Sequence, residues 1–270
     1  MLKYNHIELC RNMIKYKQYL KSLDLKSSTI KNYLWHINKF LLWLGDNKLD
    51  QAVLKKYFDY LLKKYKRVNT INLRLKIINN YLKFLNKRFS FDLLSDEDTN
   101  IKILTKQELS TFLKNPLKNK QLIGLRDKAI LELLYSSGLK VGYLVNLKKD
   151  QIDDLRQEIL LDKNKSLKIN PSTWLYLKKY IDKRNDEIEY LFINFDRSNK
   201  SANKSLSVRS VERIINKYSK NIDPPVNINP QILRNTLAYQ LKSEGAQSEH
   251  IKSALHFQTK SGAKNYLKRI

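Results

Sequence analysis

The sequence predicts a mainly helical protein with a small antiparallel β-sheet, organised as a four-helix domain followed by a larger second domain. Three observations carry this. Apolar residues recur at helical spacing through the first ninety residues, with only short polar turns between the runs. An acidic stretch, DLLSDEDTN at 92–100, separates two basic, periodic segments. Within the second segment, residues 151–169 abandon the helical period and alternate about a polar turn.

The chain has 270 residues, 42% hydrophobic and 29% charged, enough for one large or two ordinary folded domains. Ile14–Leu23 reads as the first helix, closed by Asp24-Leu25-Lys26. Ser27-Ser28-Thr29 opens the second with N-cap side chains; Ile30, Tyr33, Leu34, Ile37, Phe40, Leu41 and Leu44 form its apolar stripe, and Gly45 closes it. Leu49–Tyr65 is the third, and Val68-Asn69-Thr70 starts a fourth carrying Ile71, Leu75, Ile78, Tyr81, Leu82 and Leu85 on one face. These give domain bounds of 1–91, a linker at 92–100 and a second domain at 101–270.

In that second domain Thr105 caps a helix from Lys106, Leu122–Ser136 is helical up to Ser137-Gly138, and a short helix covers Val141–Leu147. Gln151–Ile169 reads as a strand pair turning at Asp162–Lys165, with a third strand at Tyr190–Asn194. Helices return at Ser172–Lys183, Ser207–Ser219, Pro230–Glu244 and Ser248–Leu255.

The charge is lopsided: 52 Lys and Arg against 26 Asp and Glu, net +26. Residues 1–91 alone hold 20 bases and 5 acids. An excess this large on a folded chain favours a polyanionic partner, beyond the Lys-rich bias of an AT-rich genome. A membrane-surface role would need an apolar face with aromatic anchors apart from the core, and none is found. Cys10 is the only cysteine, and His6, His36, His250 and His256 never fall at ligand spacing, so no metal is expected. The N-terminus lacks a signal-peptide core and no run is long enough to span a bilayer, so a cytoplasmic protein is expected.

Several motifs stand in a recognisable order: LRDKAILELLYSSGLKVGYLVNLKKDQID (125–153), PQILRNTLAYQLKSEG (230–245), LHF (255–257) and Tyr266. Together they resemble the catalytic domain of tyrosine recombinases of the phage-integrase family, Xer-like members included. The first ninety residues, with LKSSTIKNYLWHINKFLLWLG (25–45), resemble the family's helical, SAM-like core-binding domain. The resemblance implies double-stranded DNA as partner, no cofactor, no small-molecule substrate and no membrane. It also implies pairing with a second recombinase or with another copy on paired sites. The chain ends at Ile270, four residues past Tyr266, which in this family implies weakened assembly into a synapse.

The family's chemistry explains its residue types. A tyrosine oxygen attacks a DNA phosphate, leaving a 3′-phosphotyrosyl bond and a free 5′-hydroxyl; the covalent link conserves the bond energy for religation. Two arginines clamp the non-bridging oxygens, a turn lysine protonates the leaving oxygen, and histidines assist proton transfer. By resemblance Tyr266 is the nucleophile and Arg234 the second arginine. Lys140 stands where the first arginine belongs and offers a point charge instead of a fork. Gln231 replaces a histidine and cannot shuttle a proton. Phe257 stands at a His or Trp position, with His256 one place earlier, and the turn lysine is Lys163 or Lys165. Tyr143 takes a position that is usually acidic.

DNA contact is expected from Lys26, Ser28, Thr29 and Asn32, from Arg67, Asn69, Thr70, Asn72 and Arg74, and from Lys204, Ser207, Arg209 and Ser210. Two readings of the centre stay open: a recombinase that cleaves slowly or with a partner's help, and a DNA-binding relic that regulates an active relative.

Overall fold

A computed structural model describes residues 3–95, 101–162, 165–195, 204–257 and 259–270. The chain divides into two compact units, Met1–Thr99 and Asn100–Ile270. Among the described residues no helix is long and apolar enough to cross a membrane, and no cluster of His, Cys, Asp and Glu is arranged to hold a metal.

The first unit holds α1 (Lys3–Ser22), α2 (Ser27–Leu44), α3 (Gln51–Lys64) and α4 (Val68–Phe84). Their apolar faces bury one core in which Tyr16, Phe40, Leu54, Leu75 and Tyr81 are fully enclosed. The first helix is longer than its apolar stripe suggested, beginning at Lys3 instead of Ile14. Helix α2 is capped by Lys26 in extended conformation, with no side chain closing its N-terminus, so the Ser-Ser-Thr run is its first turn. After α4 the chain folds back on the bundle. The Asn79 amide bonds both backbone groups of Phe91, and the Asn72 amide bonds both of Leu94. The acidic stretch expected to be a linker from residue 92 thus starts strapped to the bundle; its residues 96–100 lie outside the described ones.

The second unit contains α5 (Lys106–Lys114), α6 (Leu122–Ser137), α7 (Val141–Leu144), α8 (Pro171–Asp182), α9 (Val208–Ser219), α10 (Pro230–Ser243), α11 (Ser248–Ala254) and α12 (Lys260–Leu267). Thr105 and Glu108 form a reciprocal capping box on α5. Asn170, Ser207, Asn229 and Thr259 cap α8, α9, α10 and α12 in the same side-chain fashion. Helix α6 is buried nearly all round, so its polar residues are paired inside. Asp127 accepts from Arg126 at 2.7 Å and from the Tyr218 hydroxyl at 2.8 Å.

The sheet has three antiparallel strands in the order β1 (Ile152–Asp153), β2 (Glu158–Asp162), β3 (Lys165–Lys168). Its third strand is therefore Ile152–Asp153 and not Tyr190–Asn194, which makes only isolated bridges, Lys148 with Tyr190 and Ile193 with Ser205. The reason is local: the Arg184 guanidinium takes the carbonyls of Tyr190 and Leu191 at 2.8 and 2.7 Å, consuming acceptors a ladder would need.

Candidate functional site

The candidate centre forms where α6 ends and α10, α11 and α12 converge. Gly138 ends α6 in the left-handed conformation, φ 57°. A Cβ there would lie 2.7 Å from Leu255 Cδ2, so both backbone and packing require glycine. The Gly138 carbonyl accepts from Arg234 Nη1, and the Leu255 carbonyl at the end of α11 accepts from Nη2. Arg234 is 7% exposed, and among the described residues no carboxylate pairs with it. Burial presses its pKa below the ordinary guanidinium value and Tyr266 alongside opposes that, but an arginine keeps its proton in either case. A buried, charged fork held only by two carbonyls is electrostatically incomplete.

Tyr266 comes from α12, set in place by the Thr259 cap and the buried Ala263. Its hydroxyl donates to Asn235 Oδ1, while Gln231 Nε2 donates to the Tyr266 oxygen at 3.2 Å and to Asn235 Oδ1 at 2.9 Å. Gln231 and Asn235 lie one turn apart on α10, so a single helix face holds the phenol. Burial raises the Tyr266 pKa, while the Arg234 charge and the Gln231 hydrogen bond pull it down. The Phe257 ring neighbours both: its centroid is 5.1 Å from Arg234 Cζ and 5.1 Å from the Tyr266 ring.

His256 adopts φ 52°, and its Nε2 lies 3.2 Å from the Ser137 carbonyl. A carbonyl only accepts, so Nε2 carries the proton and Nδ1 is the ring's open acceptor. Burial lowers its pKa, and the Arg234 and Lys165 charges lower it further against the Ser137 hydrogen bond. Lys165 stands at the start of β3, and Lys163 lies outside the described residues. Lys140 caps the short α7 two residues beyond the carbonyl that Arg234 holds, and its side chain is exposed. Tyr143 is 56% exposed.

Comparison with known proteins fits this geometry. The model of the phage integrase family matches residues 102–269, the segment that carries every element of the centre. This chain belongs to that family. Tyrosine recombinase XerA of Thermococcus kodakarensis is 27% identical over 94% of this chain and 89% of its own length. Tyrosine recombinase XerC of Syntrophus aciditrophicus is 25% identical over 90% and 87%. Among solved structures, Tn1549 transposon integrase in complex with circular intermediate DNA superposes with TM-score 0.77 at 15% identity, covering 96% of this chain and 94% of that one. Lambda integrase (residues 75–356) bound to DNA gives 0.65 at 16% identity, covering 93% of each chain. The expected fold, mainly helical with a small sheet, is thus the fold of integrase catalytic domains.

The remaining expected contact residues of this integrase-family chain separate into two groups. Lys26, Ser28 and Asn32 are exposed and Thr29 half-buried around the uncapped start of α2. Arg67 and Asn69 are exposed at the start of α4, which also lacks a side-chain cap, and Thr70 is half-buried one residue on. Lys204 and Arg209 are exposed. Others are already committed inside the fold. Asn72 is buried with its amide spent on Leu94, so its expected place on a contact surface is corrected. Ser207 caps α9 through Ser210 N, and its hydroxyl meets the Ser210 hydroxyl at 2.8 Å. Arg74 donates to the Thr70 carbonyl at 2.8 Å and stacks 3.9 Å from the Tyr65 ring. Two residues of the centre escaped the reading of the sequence. Asn235 follows Arg234, and its only sequence signal is the i,i+4 spacing from Gln231. Gly138 was read as a helix stop, with no sign that its carbonyl would orient Arg234.

Proposed function

We propose that this chain binds duplex DNA and cleaves one strand through Tyr266, slowly compared with a recombinase of intact centre. The observation that carries the reading is Arg234: a buried guanidinium with no carboxylate partner among the described residues, sharing Phe257 as a neighbour with Tyr266. A DNA phosphate supplies the missing anion. Tyr266 Oη attacks the phosphorus as its proton leaves; the bond to the 5′-oxygen breaks, and that oxygen takes a proton to leave as a hydroxyl. The products are a 3′-phosphotyrosyl bond and a free 5′-hydroxyl, and the reverse reaction religates the strand. Asn235 and Gln231 orient the phenol, His256 with its open Nδ1 contributes polar support, and Lys165 or Lys163 serves as the proton donor to the leaving oxygen.

The impairment follows from chemistry. Lys140 offers no bidentate fork, Gln231 accepts no catalytic proton, and Phe257 has no hydrogen-bond donor for a phosphate. Losing one oxyanion donor typically costs about 10²–10³ in rate. Duplex affinity rests on the exposed bases of both units, with Lys26, Arg67, Lys204 and Arg209 on phosphates and Ser28, Thr29, Asn32, Asn69 and Thr70 positioning the helix starts. Residues 1–91 act as the core-binding domain in this reading and 101–270 as the catalytic one.

The second reading, a binding module without cleavage, is favoured by the same three replacements. Nicked suicide duplexes of pooled sequence separate the two. Salt-sensitive binding with a slow denaturation-resistant complex supports slow cleavage, and binding without any such complex supports the module.

A further inference from the structure

The first unit contains a second cavity-borne constellation, remote in sequence from Tyr266. A cavity of about 250 Å³ opens among α2, α3 and α4, lined by Trp35, His36, Lys39, Tyr60, Lys64 and Arg74. The lining includes three cations, Lys39, Lys64 and Arg74, and no ion pair forms among the described residues of this unit. The rings are arrayed with the cations: Lys39 Nζ lies 5.9 Å from the Trp35 ring, and Lys64 Nζ lies 4.9 Å from that of Tyr60. Arg74 is fixed by its stack on Tyr65 and its bond to the Thr70 carbonyl, so it presents its remaining donors without paying to order them. Trp35 is 52% exposed, so much of the indole beside Lys39 and His36 faces solvent.

His36 is a second and independent sign. It lines the cavity at 7% exposure, with its ring 4.8 Å from that of Trp35. Burial and then the Arg74 charge hold its pKa below the ordinary imidazole value, so it stands neutral with one donor and one acceptor nitrogen. At the wall of a cationic cavity, such an imidazole adds a polar donor and acceptor beside the positive charge.

We infer that this cavity binds one nucleotide unit, with a base stacked on Trp35 and its phosphate held by Lys39, Lys64 and Arg74. Aromatic faces take bases of any sequence, and grouped Lys and Arg take phosphate. At about 250 Å³ the cavity takes part of one nucleotide, with the base resting on the exposed face of Trp35 at its rim. The source is either a free nucleotide or an unpaired nucleotide of a DNA strand. The inference does not depend on cleavage by Tyr266.

The test is calorimetric titration of the full chain with 2′-deoxyadenosine 5′-monophosphate, deoxyadenosine, inorganic phosphate and a single-stranded oligodeoxyadenylate. The expected result is that the monophosphate binds at least about tenfold tighter than nucleoside or phosphate alone. Trp35→Ala and Lys64→Glu, both at exposed positions that leave the helical circular dichroism unchanged, each weaken it by about tenfold. An oligomer that binds far more tightly than the monophosphate assigns the site to a DNA strand; equal binding assigns it to free nucleotide. Inorganic phosphate binding as tightly as the monophosphate, no binding of any nucleotide probe, or affinities untouched by both substitutions overturn the inference.

Discussion

The phenolic hydroxyl of Tyr266 donates to Asn235 Oδ1, a residue on the same face of α10 as Gln231. The pair fixes where the phenol points before any phosphate arrives. Asn235→Ala removes that acceptor and is expected to slow covalent-complex formation about fivefold, the value of one ordinary hydrogen bond. Asn235→Asp keeps an acceptor and should retain most of the rate. Time courses of covalent-complex formation on suicide duplexes check both.

Gly138 gives a stability prediction with a functional echo. Gly138→Ala forces a side chain into φ 57° and into the Leu255 methyl, at an expected cost of about 1–3 kcal/mol. It also shifts the carbonyl that Arg234 holds. Chemical denaturation should show the lower midpoint, and DNA cleavage should fall further than the loss of folded protein explains.

The replaced positions can be restored. Lys140→Arg returns a bidentate fork and is expected to raise the rate of covalent-complex formation by about 10²-fold if phosphate clamping limits it. Phe257→His adds a donor beside Arg234 and should help further in combination. Rates unchanged by either substitution would show that the limit lies elsewhere.

Acid stability follows from the two buried imidazoles. His36 and His256 both have folded pKa values below the unfolded one, mainly through burial. The unfolded chain therefore takes up protons first as pH falls below about 6.5. Their contribution is complete above that pH and is lost as pH drops through the folded values. His256→Gln should flatten this dependence in denaturation curves run from neutral pH to pH 5.

Much of the fold was legible because its signals are local. The cap at Thr105, the stop at Gly138 and the stripe from Ile30 to Leu44 each follow from local residues. What escaped depends on partners distant in sequence. The strand expected at Tyr190 is lost to Arg184, whose guanidinium takes its carbonyls. Asn72 sits among candidate contact residues at the start of α4, yet its amide serves Leu94, 22 positions on. Helix α12 went unassigned because eight residues with few large apolar groups carry little periodic signal; its position comes from packing of Tyr266 and Leu267 on α10 and α11. The centre was readable as a set of residue types, but its connections to the Gly138 and Leu255 carbonyls and to Asn235 were not.

The most direct test of the central claim is peptide mapping of the adduct formed on duplexes that carry a bridging phosphorothiolate. Such a leaving group needs no proton donor, so it isolates the attack by the nucleophile from the weakened acid chemistry. The account predicts a slowly formed adduct on the peptide containing Tyr266, absent in Tyr266→Phe while duplex binding persists. An adduct on any other residue, or none on duplexes the protein demonstrably holds, would contradict it.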